Sequence, residues 1–126
     1  WMKPLMAAGN WVPEMIEMAG GISVWGEKGG HSTVSTFPDL AALNPDKIVI
    51  SPCGFKLEQT KADLHYLTGE ESWGSLHAVQ RHEVYLVDGN AYFNRPSQRL
   101  VDSLEILAEI IHPGLFLKMR QFSERL

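Results

Sequence analysis

Apolar positions in this chain alternate between short β-branched runs and longer stretches of helical spacing. One run stands out: Ile48-Val49-Ile50, inside Asn44 to Phe55 (N-P-D-K-I-V-I-S-P-C-G-F). A run this short, bounded by turn residues, predicts a strand buried on both faces, as in a parallel sheet covered by helices. Asn44-Pro45-Asp46 turns the chain into it. Pro52 and Gly54 end it, because proline cannot donate to a ladder and glycine tolerates unusual φ. Val84-Tyr85-Leu86-Val87 predicts the next strand. Between them, Lys56 to Leu67 reads as a helix with Leu57, Leu64 and Leu67 on one face, closed by Thr68-Gly69 and followed by a connector through Gln80. Strand, crossover helix and strand make a right-handed βαβ unit, with both strands pointing the same way.

The flanks extend this pattern. Trp1 to Leu5 reads as the tail of a strand and Met6 to Asn10 as a loop. Trp11 to Ala19 reads as a short helix, with Asn10 as its cap, Pro13 and Glu14 in its first turn and Gly20-Gly21 after it. Ile22 to Trp25 predicts a brief strand and Gly26 to Ser35 a loop. Thr36 caps a further helix with Pro38 early in it, and Leu40 and Leu43 turn inward. After the loop Asp88 to Pro96, Ser97 caps a long helix ending near Ile111. Its stripe is Leu100, Leu104, Leu107, Ala108 and Ile111, with Arg99, Asp102, Glu105 and Glu109 toward water. His112-Pro113-Gly114 breaks it, and Leu115 to Leu126 adds a weak helix or frays. The prediction is an α/β fold: a three-layer α/β/α lobe with a mainly parallel sheet, residues 1–126 forming a single domain.

Composition narrows the function classes. With 126 residues the chain is long enough for one real core. Its formal charge of −4, from 11 basic and 15 acidic residues, argues against nucleic acid as a partner, which needs a basic face. No apolar run approaches the ~20 residues that span a bilayer. Cys53, the single cysteine, cannot form an internal disulfide. No secretory signal is visible, but the chain opens on Trp1, which reads as a piece of something longer.

In a helix-covered parallel sheet, ligands sit outside the carboxyl ends of the strands. Three loops then converge: Met6 to Trp11, Ser51 to Lys56 and Asp88 to Arg95, with the loop around His31 beside them. They carry Asn10, Trp11, Cys53, Phe55, Asn90, Tyr92, Phe93 and Arg95. Aromatics with a few amides and one arginine suit a large, flat, partly polar ligand. The structural alternative is that the aromatics plug the sheet end against solvent. Cys53 as a nucleophile needs a base, and His31 is the loop histidine that fits that role. The five histidines lack zinc-motif spacing, so no metal site is expected from this segment, and neither Gly20-Gly21 nor Gly29-Gly30 carries a phosphate-loop pattern.

Four motifs bear a family likeness: Ala7 to Gly21 (A-A-G-N-W-V-P-E-M-I-E-M-A-G-G), Asn44 to Ile50 (N-P-D-K-I-V-I), Pro52 to Phe55 (P-C-G-F) and Val87 to Pro96 (V-D-G-N-A-Y-F-N-R-P). Together they resemble the carboxyl-terminal lobe of class III substrate-binding proteins of ABC importers, nearest the cobalamin-binding subgroup. The resemblance covers nearly the whole chain. It implies two α/β lobes joined by a rigid helix, a ligand held in the cleft between them, and an amino-terminal lobe and linking helix outside these residues. It implies no intrinsic cofactor and no chemistry. The transported ligand would be cobalamin, or a related chelate such as haem or an iron–siderophore.

The same resemblance implies a periplasmic or extracellular, membrane-associated protein that hands its ligand to a permease. In that family an acidic residue opening the short helix before the central strand docks onto permease arginines. Pro38-Asp39 stands there, so Asp39 is the docking candidate, one position displaced. Gly30-His31-Ser32 replaces the tryptophan-bearing loop of the best-known vitamin B12 receptors, and Arg95-Pro96-Ser97-Gln98-Arg99 departs mildly from R-P-G-P-R. Two readings from other classes stand beside this one. The first is a cysteine-dependent hydrolase using Cys53 and His31. The second is an interaction domain without ligand. An exposed apolar face would also favour a dimer of the isolated lobe.

Overall fold

We describe the fold from a computed structural model of the chain, covering residues 1–92, 100–113 and 123–126. In order, the elements are β1 (Leu5–Ala7), α1 (Val12–Met18), β2 (Thr33–Ser35), α2 (Phe37–Leu43), β3 (Ile48–Ile50) and α3 (Leu57–Asp63). There follow α4 (His65–Thr68), a 3₁₀ turn (Trp73–Ser75), α5 (His77–Gln80), β4 (Val84–Val87), α6 (Leu100–Ile111) and β5 (Ser123–Arg125). The α/β lobe is as the apolar pattern predicts.

The main sheet has the order β3-β4-β5. Strands β3 and β4 pair in parallel, with Ile48, Val49 and Ile50 opposite Val84, Tyr85 and Leu86. This is the predicted βαβ unit. Among the described residues parallel pairing is confined to these two strands: β5 runs antiparallel to β4, and β1 and β2 form a separate antiparallel pair. Burial corrects one expectation. β4 is the strand buried at every position, because it has a neighbour on each side. Among the described residues β3 is paired on one side, and Val49 is 36% exposed. The run Ile48-Val49-Ile50 therefore marks a strand with one face covered.

Two apolar clusters sandwich the sheet. On one side Met15 and Ala19 of α1, Val87 of β4 and Ile106, Leu107 and Ile110 of α6 pack together. On the other, Leu40, Ile48, Ile50, Leu67, Leu76, Val84 and Leu86 pack with Met2. The buried face of α6 is rotated from the predicted stripe. Ser103, Ile106, Leu107 and Ile110 point inward, and Glu109, expected to face water, is only 8% exposed. The helix packs with both α1 and β4, so more than one stripe is covered.

Local chemistry explains most element ends. Thr36 and Asp39 form a reciprocal capping box that starts α2, as Thr36 predicts. Asn10 does not cap α1. It sits in the left-handed region at φ 55°, and Trp11 occupies the cap position without a side-chain bond. The single helix expected over Lys56 to Leu67 is broken at Leu64, whose N–H reaches Lys61 O at 3.3 Å in a tightened turn. That overwinding brings Leu67 into the core. Ile22 to Trp25, predicted as a strand, belongs to no ladder among the described residues. The loop 26–35 instead ends in β2, and the chain's tail, expected to be helical or frayed, ends in β5.

Candidate functional site

The loops that follow the two parallel strands are tied together at one point. Asn90 N–H donates to Phe55 O at 3.0 Å and to Asp88 Oδ1 at 2.9 Å. Asp88 Oδ1 also accepts from Ala91 N–H, so its side chain folds the loop after β4 into a local turn. The Trp1 ring meets Phe55 edge-on, with centroids 4.9 Å apart and planes at 69°. Trp1 and Asn90 are exposed and Phe55 is half-buried. An aromatic, amide-edged rim thus lies at the carboxyl ends of β3 and β4.

A second junction holds the glycine-rich loop. Asn10 N–H donates to Gly30 O at 2.5 Å, Gly29 N–H donates to Asn10 O at 3.0 Å, and Gly9 N–H donates to Ser32 Oγ at 3.2 Å. Glycine is required for this approach. A Cβ on Gly9 would lie 2.5 Å from Gly30 O, and one on Gly26, at φ +87°, would lie 2.0 Å from Ala8 O. His31 is thereby fastened beside Asn10.

Two cavities border these loops. A groove of about 770 Å³ runs past Asn10, Trp11, Cys53 and β3, with Ile22 to Trp25 and α6 also on its lining. A smaller one of about 440 Å³ lies against Trp25, Glu27 and His31. Of the predicted contact residues, Asn10, Trp11 and Cys53 share the groove, His31 lines the smaller cavity, and Phe55 and Asn90 form the rim. Tyr92, expected at the ligand wall, is 5% exposed and packs with Met15, Val87 and Ile106 in the core. Phe93 and Arg95 lie outside the described residues.

Sequence reasoning missed Trp1 and Trp25. Trp1, read as the tail of a strand, supplies aromatic surface to the rim, and Trp25 borders both cavities. For Trp25 the available signal was its place just before the glycine-rich loop 26–35.

Cys53 is an exposed free thiol. Cys53 lines the groove and His31 the smaller cavity, and the two cavities share Val24, Trp25 and Leu43. No three His, Cys, Asp or Glu side chains gather as a metal site among those residues. Asp39 stays exposed while its carboxylate is engaged. The Thr36 hydroxyl at 2.7 Å, and then the Thr36 N–H at 2.9 Å, hold it below the usual carboxylate range.

At the opposite end of the sheet, Glu83 Oε2 accepts from Tyr85 Oη at 2.5 Å and from Lys47 Nζ at 2.9 Å. Burial, then the hydrogen bond to Glu83 and its charge, push the Tyr85 phenol up to about 12. For Glu83, burial raises the carboxyl, but the bonds from Tyr85 and Lys47 outweigh it and hold the group low. This network fastens β3 to β4 away from the rim.

The fold identifies the architecture. An ABC transporter substrate-binding protein from Listeria monocytogenes EGD-e superposes with a TM-score of 0.65 at 23% identity, over 77% of this chain and 38% of that one. A periplasmic solute-binding protein from Veillonella parvula DSM 2008 also gives 0.65 at 23% identity, over 94% of this chain and 37% of the other. The lobe has the fold of part of a periplasmic binding protein. In sequence, 77 residues are 34% identical to an uncharacterized ABC transporter substrate-binding lipoprotein, YvrC, of Bacillus subtilis strain 168. That match covers 61% of this chain and 22% of the relative, so the chain spans a minor part of the proteins it resembles. No family model matches the chain. No described helix is long and apolar enough to cross a membrane.

Proposed function

We propose that this chain is one lobe of the substrate-binding component of an ABC importer, working outside the cytoplasmic membrane. Its rim supplies one wall of a cleft for a large, flat chelate. Cobalamin is the first choice, with haem and iron–siderophores as the related chemistries. The observation that carries this reading is the Asn90–Phe55 hydrogen bond, which joins the loops after β3 and β4 beneath the Trp1 ring. Aromatic faces bracketed by amides bind a planar macrocycle and its polar periphery together. Phe93 and Arg95, which follow Tyr92 in the sequence, are proposed as further ligand contacts. The lobe performs no chemistry; a membrane permease receives the ligand, with Asp39 as the docking carboxylate.

Titration of cyanocobalamin, haemin and a ferric siderophore against the longer parent protein and against these 126 residues tests this. The expected result is tight binding of one chelate by the parent and binding at least about a hundredfold weaker by the lobe, since half the contacts are missing. Equal, tight binding by the lobe contradicts the two-walled cleft, and binding of none by the parent contradicts the ligand class.

A further inference from the structure

Strand β5 reads Ser123-Glu124-Arg125 and enters neither apolar cluster. Main-chain pairing holds it to β4, and the pairing continues where Leu126 N–H donates to Val84 O at 2.8 Å. The alternation of an antiparallel ladder then turns the Glu124 N–H toward Leu86, its register partner. Two charged side chains add to this. Glu124 pairs with Lys61 of α3. Arg125 reaches along the base of the sheet: its Nε donates to His82 O at 2.5 Å and its Nη2 to Arg81 O at 3.4 Å, and Nη2 lies 3.6 Å from Glu83 Oε1. The other oxygen of that carboxylate accepts from Lys47 and Tyr85. Glu83 thus gathers contacts from the residue before β3, from β4 and from β5.

These contacts differ in shielding. The Lys47 and Glu83 side chains are 26% and 20% exposed, and that of Arg125 is 53% exposed. Salt screens an exposed charge more than a shielded one, so the Arg125 arm is the weaker. The join between β3 and β4 is of another kind. Ile48, Ile50, Val84 and Leu86 share one apolar cluster, and Ile48 N–H donates to Glu83 O at 3.0 Å. We propose that β5 is a detachable strap latched at the Glu83 carboxylate, which leaves the outer edge of β4 while β3, β4 and the core stay folded. Segments that bury little apolar surface are the ones that open locally. Opening strips the charged rim from the sheet and bares the main-chain edge of β4.

Acid and salt both loosen the latch. The groups facing Glu83 are Lys47, Tyr85 and Arg125, with Glu109 of α6 acting on Tyr85 and the Lys61–Glu124 pair as the second tie. Burial raises the Glu83 carboxyl, but the bonds from Tyr85 and Lys47 outweigh it and hold the group low. With the folded-state value depressed, the contribution of the charge is whole above the unfolded value, about pH 4, and is lost as pH falls through the folded one.

Hydrogen exchange on the intact protein tests the strap without any ligand. Glu124 reports on β5 and Ile48 on the β3–β4 join, each as protection relative to a free peptide. At neutral pH and low salt Glu124 is expected to be protected, but less than Ile48. Salt at roughly 1 M, or Glu83→Gln, is expected to lower Glu124 protection at least about tenfold more than that of Ile48. Arg125→Met is expected to do the same and to abolish the response to salt. Should Glu83→Gln fail to fold, Arg125→Met, a change on an exposed arm, carries the same comparison. Equal protection of Glu124 and Ile48 under every condition overturns the strap, because β5 then opens only with the whole fold. A Glu124 amide unprotected at neutral pH overturns it too, and so does one that salt and both variants leave unchanged.

Discussion

The Asp39 carboxylate turns back on Thr36, accepting from its hydroxyl at 2.7 Å and its backbone N–H at 2.9 Å. The carboxylate proposed for docking is thus half of the cap that starts this helix. Thr36→Ala is expected to lower stability by about 1 kcal/mol while leaving docking charge in place. Asp39→Asn is expected to weaken docking to the permease. Because the folded-state value of Asp39 is depressed, its contribution to stability is present above its unfolded value, about pH 4, and is lost as pH falls through the folded one. Thermal melts between pH 2 and 6 are therefore expected to show a shallower acid loss in Asp39→Asn.

The Glu83–Tyr85 contact gives a signal at the other end of the pH scale. Tyr85 is expected to ionise near 12, later than an ordinary tyrosine. Its folded-state value is raised, so its contribution to stability is complete below about pH 10 and is lost as pH rises toward 12. Ultraviolet titration checks this, with Tyr85→Phe to assign the transition. Glu83→Gln is expected to move the midpoint downward by removing both the charge and the carboxylate acceptor.

Gly26→Ala places a methyl against Ala8 O and forces alanine to positive φ. A loss of more than about 2 kcal/mol is expected, measured by urea unfolding. The exposed neighbour Gly29, also at positive φ but with open space around it, is expected to tolerate alanine better. The difference measures how far the fastening of the His31 loop depends on close backbone approach.

Phe55→Ala removes one partner of the rim's aromatic pair. In the parent protein it is expected to weaken binding of the transported chelate by about tenfold, from a pair worth roughly 0.5–1.5 kcal/mol plus lost contact area. Half-buried Phe55 belongs to neither core cluster, so a change of melting temperature without a change of affinity would instead make it a structural plug.

What was legible in the sequence was what local chemistry decides. Ile48–Ile50 and Val84–Val87 announce parallel strands through β-branching and their turn boundaries, and Thr36 announces a helix start. β2 and β5 read T-V-S and S-E-R, with no apolar alternation, because their pairing depends on neighbours far along the chain. The burial of Glu109 and Tyr92 follows from how α6 seats against α1 and the sheet, which spacing along one helix does not contain. The rim was half legible. Strand polarity brings the loops of Phe55 and Asn90 to one end, but only the fold decides that Tyr92 turns inward and that Trp1 takes an outward place.

The final strand carries a consequence of its own. β5 lies along the outer side of β4 and presents Glu124, paired with Lys61, and Arg125, which reaches Glu83 and the His82 carbonyl. Charge on a rim strand discourages unwanted neighbours. A strand whose side chains are held in ion pairs in this way is a poor template for a neighbouring chain.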